Sequence, residues 1–186
     1  IRLSLVGSEM CIRDRNEPVM NKTSVLILDD VQIGHKVKRI AYQIYESNVN
    51  ETQVILAGIS KSGFELAFKL KQELENISGL EIELCEVHVN KKNPLDEITT
   101  SMAPEEYRDQ SIVLVDDVLN SGATLIYGVR HFLNVPLKQF KTAVLVDRSH
   151  KKFPVKADFK GISLSTSIHE TVKVFFEEGK DRVELI

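Results

Sequence analysis

The chain has 186 residues, 42% of them hydrophobic and 27% charged, enough for one globular α/β domain with its own core. With 24 Lys and Arg against 27 Asp and Glu, its net charge of −3 excludes bulk electrostatic attraction to nucleic acid but leaves room for a local basic face. No apolar run approaches the roughly 20 residues that a membrane helix needs, and Cys11 and Cys85 supply neither a disulfide framework nor metal-ligand spacing, so a cytoplasmic protein without a membrane span is expected.

Residues 1–15 do not read as part of this domain: Glu9 interrupts a short apolar patch ahead of Arg13, Asp14 and Arg15, unlike a signal peptide. The stretch resembles a translated sequencing-adaptor read-through, with Met20 as the natural start; a disordered native tail is the alternative. The expected organisation is a non-domain tail over residues 1–19 and one domain over 20–186.

Residues 30–47 carry Ile33, Val37, Ile40, Ala41 and Ile44 on one helical stripe, with Asp29 or Asp30 available as the cap. Residues 54–57 form a fully apolar run ending at Gly58, the pattern of a strand buried on both faces. The loop Ile59-Ser60-Lys61-Ser62-Gly63 leads into a second helix, with Leu66, Ala67, Leu70, Leu74 and Ile77 inward. A strand over residues 81–89 changes alternation phase near Cys85, through either a bulge or burial of both faces.

Residues 90–109 hold Pro94 and Pro104 among many polar residues and read as a long mobile loop with a helical turn near 105–108. Residues 112–115 and 143–146 are further apolar strands, ending at Asp116-Asp117 and Asp147-Arg148, with a helix over 124–133 between them. Strand, loop and helix alternate, so a mainly parallel sheet flanked by helices is expected, with ligands bound at the carboxyl ends of the strands.

Two adjacent carboxylates at the end of a buried strand need a reason, because neither is cheap to bury. Asp116 and Asp117 can accept hydrogen bonds from vicinal hydroxyls or sit near a hard cation such as Mg²⁺. Asn120, Ser121, Gly122, Ala123 and Thr124 follow, a small polar loop opening a helix, where successive N–H groups and the helix dipole favour an anion. Diol-binding acids followed by a phosphate cradle describe a ribose 5-phosphate site; an acidic cap on an ordinary turn is the plainer reading.

This stretch resembles the phosphoribosyl pyrophosphate (PRPP) signature of type I phosphoribosyltransferases. From about Val25 to Glu178 the chain is similar to the pyrimidine operon attenuation protein and uracil phosphoribosyltransferase (PyrR-like) family, most closely over Ala143–Thr166. The resemblance implies a type I phosphoribosyltransferase fold, an α/β twisted mainly parallel sheet with a small hood formed after Asp147. It implies that Asp116 and Asp117 hold the ribose hydroxyls as the catalytic acids. Asn120, Ser121, Gly122, Ala123 and Thr124 would wrap the 5-phosphate of PRPP. Ser60, Lys61, Ser62 and Gly63 would form the pyrophosphate loop, where such enzymes often carry a non-proline cis peptide. The implied reaction is pyrimidine salvage, uracil to UMP with release of pyrophosphate, with Mg²⁺ accompanying PRPP and no resident metal assigned.

The chain departs from that family at three places. Ser60 and Ser62 stand where a lysine and an arginine are usual, Lys91 and Lys92 are the only substitutes for a catalytic arginine, and Asn120 replaces a tyrosine. The alternative function is a nucleotide-sensing regulator that binds leader RNA, for which Lys38, Arg39, Lys151 and Lys156 are the candidate contacts. A homo-oligomer is a further expectation from the resemblance. His88, His150 and His169 are given no catalytic role, Cys85 is read as core, and Phe153 and Phe159 are read as either core or base-stacking residues.

Overall fold

The computed structural model describes residues 24–90, 93, 95–148, 150–167 and 170–186. The tail over 1–19 and the expected roles of Lys91, Lys92 and His169 therefore lie outside the described residues.

In chain order the elements are β1 (Val25–Leu28), α1 (Asp30–Ser47), β2 (Gln53–Ile59), α2 (Ser60–Ile77), β3 (Glu81–His88), β4 (Thr99–Thr100) and α3 (Pro104–Tyr107). They continue with β5 (Ser111–Leu119), α4 (Ala123–Phe132), β6 (Gln139–Arg148), β7 (Phe159–Leu164), β8 (Val172–Phe175) and β9 (Arg182–Leu185). Helix α1 starts where the sequence places it. Asp29 is the cap: its side chain accepts from the Gln32 N–H at 2.8 Å, while the Asp29 N–H donates to the Gln32 side chain at 3.1 Å. Its buried residues are the expected stripe of Ile33, Val37, Ile40, Ala41 and Ile44.

Six strands form the main sheet in the order β4-β3-β2-β5-β6-β7. All neighbours are parallel except the β3–β4 pair. The central strands β2, β5 and β6 are buried on both faces. Along β2, Val54 and Leu56 join the core beneath α1 and α2, while Ile55, Ala57 and Ile59 join the core beneath α4 with Tyr107 and Phe132. An unbroken apolar run is what such a strand requires, since both alternating sets of side chains meet a helical layer.

Several expectations change in detail. Strand β3 pairs with β2 residue for residue, so burial of both faces, and not a bulge, explains its phase change. The long loop contains β4, which pairs with Val87 and His88, and its helical turn is α3. The expected 59–63 loop is absorbed by its neighbours, Ile59 ending β2 and Ser60 starting α2, and β5 runs on through both acids to Leu119 because its pairing with β6 continues as far as Asp147.

The hood has an unexpected composition. Strands β1, β9 and β8 form a separate antiparallel sheet, joining the first described strand to the last two. Asp181, 5% exposed, ties this sheet to the main body: it meets Lys69 of α2 at 2.7 Å, and its N–H donates to Asp30 of α1 at 3.1 Å. Phe159 belongs to the core. Among the described residues no helix is long and apolar enough to cross a membrane.

Candidate PRPP-binding site

The carboxyl ends of β5 and β6 and the strand β8 enclose a cleft of about 380 Å³. Asp116, Asp117, Asn120, Ser121, Gly122 and Thr124 line one wall, Ser62 joins them from α2, and Arg148 and the whole of β8 complete it. Ala123 is the first residue of α4, half-buried beside this lining.

Both acids are carried by strand, not by loop. Asp116 is 4% exposed, and one of its oxygens accepts the Asp117 N–H at 3.0 Å. Gly63 lets α2 approach them: a Cβ there would stand 2.8 Å from the Val115 carbonyl and 3.6 Å from an Asp116 carboxylate oxygen.

The phosphate loop is shaped from above as well as below. Gly122 caps α4 with φ +84°, and the N–H groups of the first turn of α4 have no acceptor within the helix. The carbonyl of Ser121 accepts from the N–H groups of Lys152 and Phe153 at 2.8 and 3.1 Å, and the Ser121 hydroxyl accepts from Ala123 at 3.3 Å. The chain after β6 therefore clamps the loop that precedes α4. Phe153 packs edge-on against Tyr127 of α4, a supporting position.

Ser60, Lys61 and Ser62 line an adjoining cleft of about 420 Å³ with Glu65 and the stretch from Val174 to Glu177. Ser62 belongs to both clefts, which places it at their junction. The described residues contain no cis peptide; the unusual geometry is the positive φ of 55° at Ser60.

Arg148 is the functional candidate that sequence reasoning passed over. It is 4% exposed, reaches Asn120 at 3.2 Å, and binds the chain leading into β8. Its only sequence signal is its place at the end of an apolar strand, beside Asp147.

The proposed RNA contacts Lys38, Arg39, Lys151 and Lys156 are all exposed, but two of them also hold partners within the fold. Arg39 donates to the carbonyls of Lys160 and Gly161 at 2.8 and 2.5 Å, and Lys151 pairs with Asp147 at 3.1 Å. His150 bonds the Thr166 carbonyl and His88 sits near Glu86 on the surface. Burial pushes the Cys85 thiol up, as fits a core residue. Among the described residues no group of three or more His, Cys, Asp or Glu side chains could hold a metal ion.

The family described as phosphoribosyl transferase domain matches residues 27–177, a span that includes the whole cleft. The chain belongs to that family. By family it is a phosphoribosyltransferase, a kind of glycosyltransferase. It is 33% identical over 165 residues to the bifunctional protein PyrR of Streptococcus agalactiae, covering 86% of this chain and 95% of that protein. The PyrR of Leuconostoc mesenteroides is 32% identical over 169 residues, covering 86% of this chain and 97% of that one. Among solved structures, the hypoxanthine phosphoribosyltransferase of Trypanosoma cruzi superposes with a TM-score of 0.70 at 15% identity, covering 85% of this chain and 94% of that one. A hypoxanthine-guanine phosphoribosyltransferase of Bacillus anthracis gives 0.66 at 18% identity, covering 80% and 84%. These structures share the expected fold, a mostly parallel sheet flanked by helices.

Proposed function

We propose that this phosphoribosyltransferase moves the phosphoribosyl group of PRPP to a pyrimidine base, converting uracil to UMP and releasing pyrophosphate. The supporting observation is the joint placement of Asp116, Asp117 and the Asn120–Thr124 loop in one cleft beneath β8. The C1–O bond to pyrophosphate breaks and a C1–N bond to the base forms, through a transition state with oxocarbenium character.

The chain's part is positioning and electrostatics. Asp116 and Asp117 hold the ribose hydroxyls, and their charge favours the cationic sugar. Ser121, Gly122, Ala123 and Thr124 hold the 5-phosphate through first-turn N–H groups and hydroxyls. Ser60 to Gly63 face the pyrophosphate, with Lys61 the one cation of that loop. Mg²⁺ fits as a companion of PRPP, since two adjacent carboxylates, Asp116 and Asp117, line the cleft. When bound, Mg²⁺ supplies charge neutralisation of the leaving pyrophosphate.

Radiolabelled uracil, PRPP and Mg²⁺ test the reading through UMP formation. Replacing Asp117→Asn is expected to reduce the rate by about ten- to a hundredfold, the worth of a lost charge-assisted contact. A wild-type rate no higher than that of D117N sinks the enzymatic reading. The regulator reading is supported by the exposed Lys38, Arg39, Lys151 and Lys156, of which Arg39 and Lys151 also hold partners in the fold. Gel shifts with leader RNA and a scrambled control address it; equal retention of both RNAs means charge alone.

A further inference from the structure

We propose that Arg148 is a positioning residue: it fixes the hood over the phosphate loop and so sets the preference for a ligand that carries a base over ribose phosphate alone. The inference rests on the phosphoribosyl reading above.

Arg148 is the last residue of β6 and lines the same cleft as the two acids. Its Nε and Nη2 donate to the Thr166 hydroxyl at 3.0 and 2.8 Å. Nη2 also donates to the carbonyls of Ser167 at 3.2 Å and Glu170 at 2.9 Å, while Nη1 donates to the Asn120 side-chain oxygen at 3.2 Å. Asn120 opens the phosphate loop, and Glu170 stands two residues ahead of β8. One buried fork thus joins both walls of the cleft.

The four hydrogen-bond acceptors are uncharged oxygens, and the Glu170 carboxylate lies within electrostatic reach of the guanidinium. Planar, divergent donors suit the task of holding two chain segments at a fixed separation, which a single ammonium does poorly. The separation matters because Val172, Val174 and Phe175 supply the apolar surface of β8 in the cleft, the part suited to a flat base. The phosphate loop is clamped independently, through Ser121 to Lys152 and Phe153. Loosening Arg148 therefore moves the base-facing wall, which loses its contacts at Thr166, Ser167 and Glu170, more than the phosphate cradle, which loses the single contact at Asn120 and keeps its own clamp.

Calorimetric titration of UMP and of ribose 5-phosphate into wild type, Arg148→Gln, Arg148→Lys and Thr166→Val tests this. R148Q is expected to weaken UMP by about tenfold or more and ribose 5-phosphate by less than about twofold, with R148K between. T166V keeps the guanidinium and removes one acceptor, so the UMP to ribose 5-phosphate ratio moves the same way by a smaller factor. Should R148Q fail to fold, T166V decides. Equal weakening of both ligands, or an unchanged ratio, overturns the role. Wild type that binds both ligands equally sinks the Arg148 role alone; wild type that binds neither sinks the phosphoribosyl reading, and the Arg148 role falls with it.

Discussion

Gly122 lies directly under Val155: a Cβ placed on the glycine would stand 2.4 Å from the Val155 Cγ1, and the glycine has φ +84°. Two separate constraints meet at one residue of the phosphate loop. Gly122→Ala is expected to cost roughly 1–2 kcal/mol for the left-handed backbone and about 1–3 kcal/mol for the overlap. Adding Val155→Ala relieves the second part only. Denaturant melts of the single and double variants check this; full recovery in the double variant means that backbone strain contributes nothing.

Ser62 stands at the junction of the two clefts with no charge to offer. Ser62→Arg places a forked cation where pyrophosphate departs. A charge-assisted contact is worth about 1.5–3 kcal/mol, so kcat/KM for PRPP is expected to rise by roughly tenfold or more. Steady-state kinetics at fixed Mg²⁺ decide; an unchanged or lower value removes the idea that this loop limits turnover.

Ser111 and Asn48 form a buried pair, each 1% exposed, with the serine hydroxyl donating to the asparagine oxygen. It joins the end of α1 to the start of β5. Ser111→Ala leaves that oxygen buried without its donor, at an expected cost of about 1–3 kcal/mol, read as a lowered urea midpoint with unchanged slope.

Burial lowers the pKa of His131 on α4, whose Nε2 is enclosed without a hydrogen-bond partner among the described residues. Tyr127, Arg130, Asp96 and Glu97 line the small cleft beside it. A folded-state value below the ordinary 6.5 means that the unfolded chain takes up the proton first as pH falls. The stability that neutral His131 confers is thus fully present above pH 6.5 and is lost as pH drops through that value toward the folded one. Melts from pH 7.5 to 5 are expected to show a shallower decline in His131→Phe than in wild type; parallel curves refute the assignment.

Much of the frame was legible because it is written locally. The α1 stripe, the apolar runs of β2, β5 and β6, and the α2 stripe each state their burial within a few residues. The site signature was equally local: two acids and a small polar loop are consecutive in sequence, and they line one cleft.

The hood was not legible. Strand β1 pairs with β9, near the other end of the chain; each is four residues long, β1 wholly apolar and β9 of mixed polarity. Neither has a hydrophobic period of its own to read. Likewise, carboxylates looked like the start of a loop, yet β5 continues through them because β6 supplies hydrogen-bond partners as far as Asp147.

The sequence by itself determined the strand–helix alternation, the apolar strands and the consecutive acids and cradle, since each depends on neighbours in the chain. Only the tertiary structure decided that β8 covers the cleft and that Arg148 joins Asn120 to Thr166, Ser167 and Glu170. Those contacts depend on which distant segments meet, and a guanidinium carries no local mark of the carbonyls it will find.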